Sequence, residues 1–460
     1  MQQSKKFMTK PLPVFLALMG MLMVACNTTN PTQPDITKKA PPYKQVLVSP
    51  EVGISDIKTF DPALSTDSPS IQAIDNVFTG LVQLNDKLVI VPQLAATYSE
   101  SPDGLTWTFK LKPNLKFSDG TPLTSQDVVY SIDRALQPAV KSYTSSIYLG
   151  LIKDSDKLNA GKIKTIIGDS LLKPDPNTVK IITNRKASYF LDASSYSCSY
   201  VVEKSLVDKY GAHFTDHLNE GGGAGPFKVS EYTHGKQIVF VPNPNYYGPK
   251  PQLTKLVYPF YNKADSMYAA YQAGQVDLTG ILSANLAEAK KLPNNQYHQV
   301  PQLWINYYTM NYLVKPFDNI KIRQAFELAI DKDLIAHRVW KDIVIPTNHI
   351  VPKGMPGYNA NLTDPEGVAS TKGDPAKASA LFRQGLQEEG WTSLAQVPTI
   401  KLTYPGGSHD QDNEVAALIQ MWQKTLGISV KPNPEDFNKL LLDMVAAANN
   451  PKGLQFWNTS

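Results

Sequence analysis

The sequence predicts a mixed α/β protein, and three local patterns support this fold class. Apolar and polar residues alternate over residues 105–112 (LTWTFKLK), as in a strand with one buried face. Residues 124–138 (TSQDVVYSIDRALQP) have the apolar spacing and the capping residues of a helix. Residues 414–432 (EVAALIQMWQKTLGISVKP) predict a helix that ends at Gly427 and a strand at 428–430.

Turn and capping residues set the limits of the first strand and the first helix. Asp-Gly pairs at 103–104 and 119–120 predict turns on either side of the strand. Thr124 and Asp127 have the spacing of a capping box, which predicts the start of the helix. The apolar residues on one face of this helix are Val128, Ile132 and Leu136.

The same mixture of elements continues downstream. Residues 266–280 (SMYAAYQAGQVDLTG) predict a helix stopped by Gly274 and then a short strand at 276–278. The segment DNIKIRQAFELAIDKDLIAHRVW predicts two helices, capped by Asp318 and Asp331.

The N-terminal segment has the features of an export signal. Lysines precede an apolar run at residues 12–25, which is shorter than the roughly 18 apolar residues that span a bilayer. The segment MVAC at 23–26 resembles the lipobox of bacterial lipoproteins, which implies cleavage before Cys26 and a lipid anchor on its thiol. The alternative is an ordinary signal peptide (1–25) with an incidental cysteine. Residues 26–42 are polar and proline-rich, and predict a flexible lipidated tether.

Cleavage of this signal makes the remaining chain nearly neutral. The first 25 residues hold three lysines and no acid, so Lys+Arg falls from 45 to 42 against 41 Asp+Glu. A near-neutral chain lacks the basic surface that nucleic-acid binding requires, and we expect no nucleic-acid partner.

The chain contains no convincing catalytic or metal motif. The glycine-rich segment at 220–227 (EGGGAGPF) is not followed by GK[ST], and instead predicts a flexible crossing between domains. His213 and His217 have the spacing of a metal pair without the remaining zincin residues, and are interpreted as a solvated pair. Residues 408–410 (SHD) cannot converge as a hydrolytic triad because they are consecutive, and predict a polar loop. We therefore expect a binding protein and not an enzyme, with no catalytic residue, cofactor or metal site.

Several ordered segments resemble the family 5 extracellular solute-binding proteins, the oligopeptide-binding class that serves ABC importers. The resemblance implies a two-lobed α/β fold of three domains, similar to periplasmic binding proteins, with a hinged cleft between the lobes. The matching segments are DPALSTDSPSIQAIDNVFTGLVQLN (61–85), PQLAATYSESPDGLTWTFKLKPNLKFSDGTPLTSQDVVYSIDRAL (92–136), AGPFKVSEYTHGKQIVFVPNPNYYG (224–248), AYQAGQVDL (270–278), PFDNIKIRQAFELAIDKDLI (316–335) and LGISVKP (426–432).

The resemblance also implies domain limits. Domain I comprises residues 43–80 and 222–305, domain II is inserted as residues 81–221, and domain III covers residues 306–460. The family pattern further leads us to expect that domain III is incomplete, because its second ligand-pairing strand would begin where this sequence stops at Ser460.

A ligand peptide in this family is expected to bind as an added strand, with its backbone paired to protein backbone. Matching the family pattern places the first pairing segment at Thr66, Asp67 and Ser68, all three expected to be extended. Because backbone groups are common to all peptides, this mode of binding favours broad specificity.

Aromatic residues supply the other expected ligand contacts. By resemblance, Tyr143 lines a pocket of domain II, and Trp304 and Trp340 lie where domain III reaches the cleft. Core packing is an equal alternative for both tryptophans. His409 and Gln411 are secondary candidates.

The resulting hypothesis is a lipid-anchored receptor on the outer face of the cell membrane that captures short peptides and delivers them to an ABC permease and ATPase complex. One alternative keeps the fold but assigns a nickel complex, haem or an oligosaccharide as the ligand. Another alternative is an extracytoplasmic hydrolase or a chaperone-like lipoprotein.

Overall fold

The structure is a computed structural model that describes residues 41–363 and 365–459. The predicted signal peptide, the anchor Cys26 and the tether up to residue 40 lie outside these ranges. From Pro42 onward the chain forms one unit. Within the described ranges, none of the helices has both the length and the apolar character needed to cross a bilayer.

Strands and helices are numbered in chain order. The strands are β1 Val46–Val48, β2 Glu51–Val52, β3 Val82–Leu84, β4 Ile90–Pro92, β5 Ala95–Glu100, β6 Thr106–Leu111, β7 Leu171–Asp175, β8 Thr178–Ile182, β9 Phe227–Thr233, β10 Gln237–Pro242, β11 Lys255–Tyr261, β12 Tyr307–Met310, β13 Ile400–Pro405, β14 Val430–Glu435 and β15 Phe456–Thr459. The α-helices are α1 Ser68–Val77, α2 Ser125–Leu136, α3 Tyr143–Tyr148, α4 Ser155–Asn159, α5 Phe190–Ser194, α6 Lys204–Tyr210, α7 Met267–Gln272, α8 Leu286–Ala289, α9 Ile320–Leu328, α10 Lys332–Leu334, α11 Pro375–Glu388, α12 His409–Leu426 and α13 Phe437–Ala447. A single π-helical turn, Ile335–Val339, follows α10 directly.

The first sheet joins two distant parts of the chain. Its order is β1-β11-β10-β9, with β1 and β2 parallel to β11 and the other pairs antiparallel. Helix α1 covers this sheet and buries Ile74 and Val77 in a core that includes Phe60 and Phe240. The chain therefore leaves this sheet after β2 and returns to it at β9.

The second sheet lies wholly within the intervening segment. It is antiparallel, in the order β5-β6-β8-β7, and β3 and β4 form a separate hairpin beside it. Its core is built from Phe109, Phe117 and the buried face of α2.

The third sheet belongs to the last part of the described chain. Its order is β12-β15-β13-β14, with β13 parallel to both β14 and β15 and β12 antiparallel to β15. Helices α9, α11 and α12 contribute to a core in which Phe326, Trp422 and Phe456 are in ring contact.

Several predictions based on local capping and turn chemistry are confirmed. The alternating segment forms β6, and the Thr124–Asp127 capping box starts α2. Gly274 follows α7 with φ +66° and Gly427 caps α12 with φ +74°, both in the left-handed region that suits glycine. The strand after Gly427 begins later than predicted, at Val430, because its partner β13 begins at Ile400, directly opposite.

The short strand predicted at 276–278 is not formed. The N–H of Asp277 donates to the carbonyl of Val48 at 2.9 Å, while its own carboxylate accepts the N–H of Val48 at 2.7 Å. This side chain occupies the acceptor position that a backbone carbonyl would hold in a strand pair. Pairing with β1 is therefore limited to one residue.

One of the two predicted helix caps is wrong. Asn319, not Asp318, caps α9, and its side-chain oxygen accepts the N–H of Lys321 at 2.9 Å. Asp318 instead pairs with Lys315 at 3.2 Å. The Asp331 cap on α10 is confirmed.

The glycine-rich crossing is packed, in contrast to the flexible segment that the sequence predicted. Gly221 to Gly225 are buried, and the N–H of Gly225 donates to the carbonyl of Val77 at 2.8 Å. A Cβ on Gly223 would lie 2.1 Å from the same carbonyl oxygen. Glycine is required here because the segment passes directly against the end of α1.

Residues 408–410 also differ from the predicted loop. Ser408 precedes α12, and His409 and Asp410 form its first turn. His213 and His217 both reach solvent, in agreement with the interpretation from the sequence: His213 is exposed and pairs with Asp216, and the half-exposed ring of His217 stacks on Tyr210 with centroids 3.5 Å apart.

Candidate functional site

The segment proposed to pair with ligand lies at the start of α1. Asp67 is extended, with φ −140° and ψ 151°, and its Oδ1 accepts the N–H of Ser70 at 2.9 Å. Ser68 is the first helical residue, so the expectation that it is extended is wrong. The side chain of Asp67 caps the helix, and Pro69 fits its first turn. The helix therefore begins at Ser68, where an extended segment was predicted.

Three consecutive backbone donors remain available at this point. The N–H groups of Thr66, Asp67 and Ser68 donate no hydrogen bond to any group in the described part of the chain. The side chain of Ser68 is exposed and that of Thr66 is half-buried. In extended backbone the N–H groups of alternate residues point to the same side, so those of Thr66 and Ser68, which flank the buried Asp67, suit strand-like ligand pairing.

Two buried carboxyl groups, those of Asp67 and Glu51, lie close to this segment. Asp67 is 6% exposed, and its Oδ2 has no hydrogen-bond partner in the described ranges. Burial, together with the charge of Asp67, raises the pKa of Glu51 to about 7. Lys58 donates to the Thr66 hydroxyl at 2.8 Å, and burial lowers the pKa of its ammonium group while Asp67 opposes that shift.

Tyr143 lies close to the same segment through its own helix. It is the first residue of α3, which Ser142 caps by accepting the N–H of Ser145 at 3.0 Å. The Ser142 hydroxyl donates to the carbonyl of Ala63, three residues before Thr66. Through Ser142, the helix that carries the half-exposed Tyr143 is held against the residues that precede Thr66.

Trp304 lies in the irregular stretch that leads into β12, and its side chain is 60% exposed. This exposure excludes the core-packing alternative for Trp304. Two residues later, the side-chain oxygen of Asn306 accepts from Asn458 of β15 at 2.7 Å, which fixes the end of this stretch to the third sheet.

Trp340 is held by a buried acid. It directly follows the π turn, is half-buried, and packs partly against the third core. Its indole Nε1–H donates to Oε2 of Glu414 at 2.7 Å, and Glu414 is only 6% exposed. Trp340 therefore packs partly against the core and keeps part of its side chain accessible to solvent.

Glu414 collects further donors from separate elements. Its Oε1 accepts the hydroxyl of Tyr308 in β12 at 2.9 Å and the amide of Asn306 at 3.5 Å. Gln411, one turn earlier on α12, donates to the same Tyr308 hydroxyl at 3.2 Å. Glu414, Tyr308, Trp340, Asn306 and Gln411 are hereafter called the Glu414 cluster.

Glu414 is not among the residues predicted from the sequence, although its position in α12 carries a signal. In α12 the buried stripe runs through residues 410, 414, 418 and 422, and two acids occupy positions that an amphipathic helix gives to apolar residues. An acid on a buried stripe indicates a polar partner inside the protein. The partner itself comes from distant segments and cannot be read from the helix.

The predicted site residues form two groups. Thr66, Asp67, Ser68 and Tyr143 lie near the first and second cores, whereas Trp340 and Gln411 join the Glu414 cluster beside the third core. His409 belongs to neither group, since it is 80% exposed and pairs with Asp265 at 2.7 Å.

A depression of about 430 Å³ lies on another face of the π turn and contains none of the predicted site residues. Its lining residues are Asp331, Asp333, Leu334, His337, Arg338 and Lys372. Within the ranges described, no group of three potential metal ligands is present.

Direct contacts join residues 43–305 to residues 306–459. The carboxylate of Asp410 accepts both the N–H and the hydroxyl of Ser283, at 2.7 and 2.6 Å, and Lys341 donates to the Ser283 carbonyl at 2.9 Å. Nearby, the N–H of Ala264 donates to the carbonyl of Gly407 at 3.2 Å. These contacts hold the segments around Ala264 and Ser283 against the start of α12 and against Lys341.

The family model, the related sequences and the solved structures that this chain matches are all solute-binding or peptide-binding proteins. A family model described as "Bacterial extracellular solute-binding proteins, family 5 Middle" matches residues 89–458. The chain is 28% identical over 404 residues to the oligopeptide-binding protein OppA of Bacillus subtilis, covering 86% of this chain and 72% of that protein. It is 29% identical over 391 residues to the dipeptide-binding protein DppE of the same organism, with coverages of 84% and 70%.

Among solved structures, that of the murein tripeptide binding protein MppA of Escherichia coli gives a TM-score of 0.78 at 25% identity, covering 90% of this chain and 78% of that one. A second MppA structure, described as the unliganded open form, gives 0.57 at 27% identity with the same coverages. The arrangement of this chain therefore differs more from the open form of MppA than from the first structure.

Proposed function

This chain belongs to family 5 of the bacterial extracellular solute-binding proteins, and on that premise we propose that it is the solute-binding subunit of an ABC importer that captures short peptides. The observation that carries the peptide assignment is the pair of available N–H groups at Thr66 and Ser68, which flank the buried Asp67. The peptide ligands named for the relatives OppA and DppE support the same assignment.

We propose that the three predicted domains are the functional units of capture. The first sheet, with strands from both 43–80 and 222–305, supports a discontinuous domain I. The second sheet supports an inserted domain II at 81–221, and the third supports a domain III from 306 onward. The ligand would bind between the lobe formed by domains I and II and the lobe formed by domain III.

In this proposal the ligand backbone pairs with the donors at Thr66 and Ser68. Tyr143 borders the ligand from domain II, and Trp304 and Trp340 border it from domain III. Recognition through backbone donors accounts for broad sequence tolerance, while the aromatic rings supply apolar contact without fixing a sequence.

Anchoring and delivery are the remaining parts of the proposal. Cys26 would carry the lipid that holds the protein on the outer face of the cell membrane, and the loaded protein would present its peptide to a permease and ATPase complex. The variant Cys26→Ser is expected to lose lipid attachment. Membrane association that resists salt and carbonate in this variant, with the signal removed, would contradict the anchor.

Native mass spectrometry tests the ligand class. Protein purified from cells grown in rich medium is expected to carry a mixture of short peptides, which denaturation releases and sequencing identifies. A ligand-free mass that does not change when a defined peptide mixture is added would refute peptide capture.

A thermal-shift panel separates peptides from the other ligand classes. Binding to the folded state alone raises the midpoint of unfolding, so only a true ligand should shift it. We expect a shift with di- to pentapeptides and none with haem, a nickel complex or oligosaccharides. A shift with one of these and not with peptides would replace the proposed ligand.

A further inference from the structure

Glu414 is a buried acid whose known partners are all neutral. The groups that donate to it in the described part of the chain are a phenol, an indole and a side-chain amide. Buried carboxylates are costly unless hydrogen bonds satisfy them, so these donors are strongly attracted to it. The acid thus ties two distant segments, residues 306–308 and Trp340, to α12.

The backbone around Trp340 is also unusual. The N–H of Trp340 donates to the carbonyl of Ile335 at 3.1 Å, which closes the π turn. Single π turns are rare and occur frequently at functional sites. The turn places the Cα of Trp340, but the indole can still rotate about its side-chain bonds, and the bond to Glu414 selects one orientation.

We propose that Glu414 is a positioning residue for ligand binding: by accepting the indole N–H of Trp340 and the hydroxyl of Tyr308, it fixes the aromatic wall that domain III presents to the peptide. This inference rests on the proposed function, because it assigns Trp340 to the ligand site. Glu414 itself does not touch the ligand.

Protonation of Glu414 should weaken this arrangement. Burial raises the pKa of the carboxyl group, and the hydrogen bonds from Tyr308 and Trp340 oppose that shift. The groups that face it are Tyr308 of β12, Trp340 after the π turn, Asn306 before β12 and, through Tyr308, Gln411 of α12. A protonated carboxyl group is neutral, so the hydrogen bonds from Trp340 and Tyr308 are no longer strengthened by a charged acceptor and become weaker.

The first experiment follows the indole directly. In protein labelled with ¹⁵N at tryptophan, the Nε1–H resonance that disappears in W340F identifies Trp340. This resonance is expected to move as the pH is lowered from 8 to 4, and to be shifted and independent of pH in E414Q. A Trp340 resonance that is constant over this range and unchanged in E414Q would overturn the proposal.

The second experiment measures peptide affinity by calorimetry at pH 7 and pH 5, using a tripeptide of alanine and phenylalanine. E414Q keeps the shape of the side chain and removes its charge, and is expected to bind about tenfold more weakly at pH 7, as for the loss of a hydrogen bond to a charged acceptor. The wild-type affinity should fall toward that of E414Q at pH 5, whereas E414Q should change little.

E231Q is the matched control, because Glu231 is an exposed acid of β9 far along the chain from the Glu414 cluster. It should keep the wild-type affinity and pH profile. Equal affinity and equal pH profiles for wild type and E414Q would overturn the positioning role. If the wild type binds no peptide at all, peptide capture fails, and the indole experiment alone decides whether Glu414 positions Trp340.

Discussion

Glu51 and Asp67 place two carboxyl groups in one buried region beside the pairing segment. The folded-state pKa of Glu51 is about 7 because of burial and the charge of Asp67, compared with 4.5 for the ordinary group. The protonated form therefore stabilises the fold fully below pH 4.5, and this contribution is lost as the pH rises through about 7. The fold is expected to be less stable at pH 8 than at pH 5 on account of this residue.

The variant E51Q should remove that dependence. Between pH 5 and pH 8, the free energy of unfolding of the wild type should fall by about 2 to 3 kcal/mol more than that of E51Q, since one pKa unit corresponds to about 1.4 kcal/mol. Urea denaturation at the two pH values measures this difference. The exposed Glu100 provides the control E100Q, which should behave as wild type. Parallel pH slopes for wild type and E51Q would rule out the raised pKa.

Ser68→Pro separates ligand pairing from stability. Proline fits the first position of a helix, and the extended Asp67 before it has the backbone conformation that precedes proline. Stability should therefore change little, while loss of the N–H donor should weaken peptide binding by about threefold to tenfold. Calorimetry with S68A as the control, which keeps the donor, tests this. Equal affinities for S68P and S68A would show that the Ser68 N–H does not pair with ligand.

At the scale of single residues, the sequence predicted correctly the residues whose role depends on near neighbours in the chain. The capping role of Thr124 is contained within four residues, and it was predicted. Glu414 takes its meaning from Tyr308 and Trp340, which are 106 and 74 residues away, and it was missed. Such partners become visible only when the fold has brought them together.

The glycine-rich crossing differs most from its prediction, because it is packed and buried where a flexible segment was expected. Glycine is frequent both in flexible linkers and where two backbone segments approach closely, so composition alone does not separate the two cases. Here the crossing lies against the end of α1 and is buried. A close approach between backbones depends on tertiary packing and leaves no local pattern.

G223A tests the packed crossing. The added Cβ would lie 2.1 Å from the carbonyl oxygen of Val77, so backbone must shift, and we expect the free energy of unfolding to fall by at least about 2 kcal/mol. Gly280 is a suitable control, because a Cβ there meets no atom within 4 Å. G280A should stay within about 0.5 kcal/mol of wild type. Chemical denaturation of both variants measures the difference, and similar small effects would mean that the crossing is mobile in solution.

Strands, too, were predicted correctly where a local pattern determines them and wrongly where a partner from elsewhere in the chain does. β6 was predicted because alternation records one buried face over its whole length. The strand predicted at 276–278 failed because the Asp277 carboxylate replaced a backbone acceptor. The start of β14 was displaced because its partner β13 sets where pairing begins. Strand limits are therefore a property of the pair and not of one segment.

On the scale of the whole molecule, three cores are connected by a small number of specific contacts. The pair Asp410 and Ser283 joins the third core region to the first, and Asn438 of α13 donates to the carbonyl of Asp56 at 3.1 Å. The lower TM-score to the open form of MppA is consistent with lobes held together by such contacts. Binding proteins that close around a ligand must balance these contacts against opening.

The variant D410A is expected to shift that balance toward an open arrangement. Asp410 is 2% exposed and accepts two hydrogen bonds from Ser283, so its removal leaves the Ser283 N–H without its acceptor. Losing hydrogen bonds to a charged acceptor costs about 1.5 to 3 kcal/mol each, enough to shift a two-state equilibrium by tenfold or more. Small-angle scattering of the ligand-free protein should show a larger radius of gyration, and peptide affinity should fall in proportion to the lost population of the closed state, because binding must first restore that state. D443A, which removes a half-exposed acid that pairs with Lys439 within α13, is the control and should leave both quantities unchanged. If D410A is folded and matches D443A in scattering and in affinity, the Asp410–Ser283 contact does not hold the lobes together.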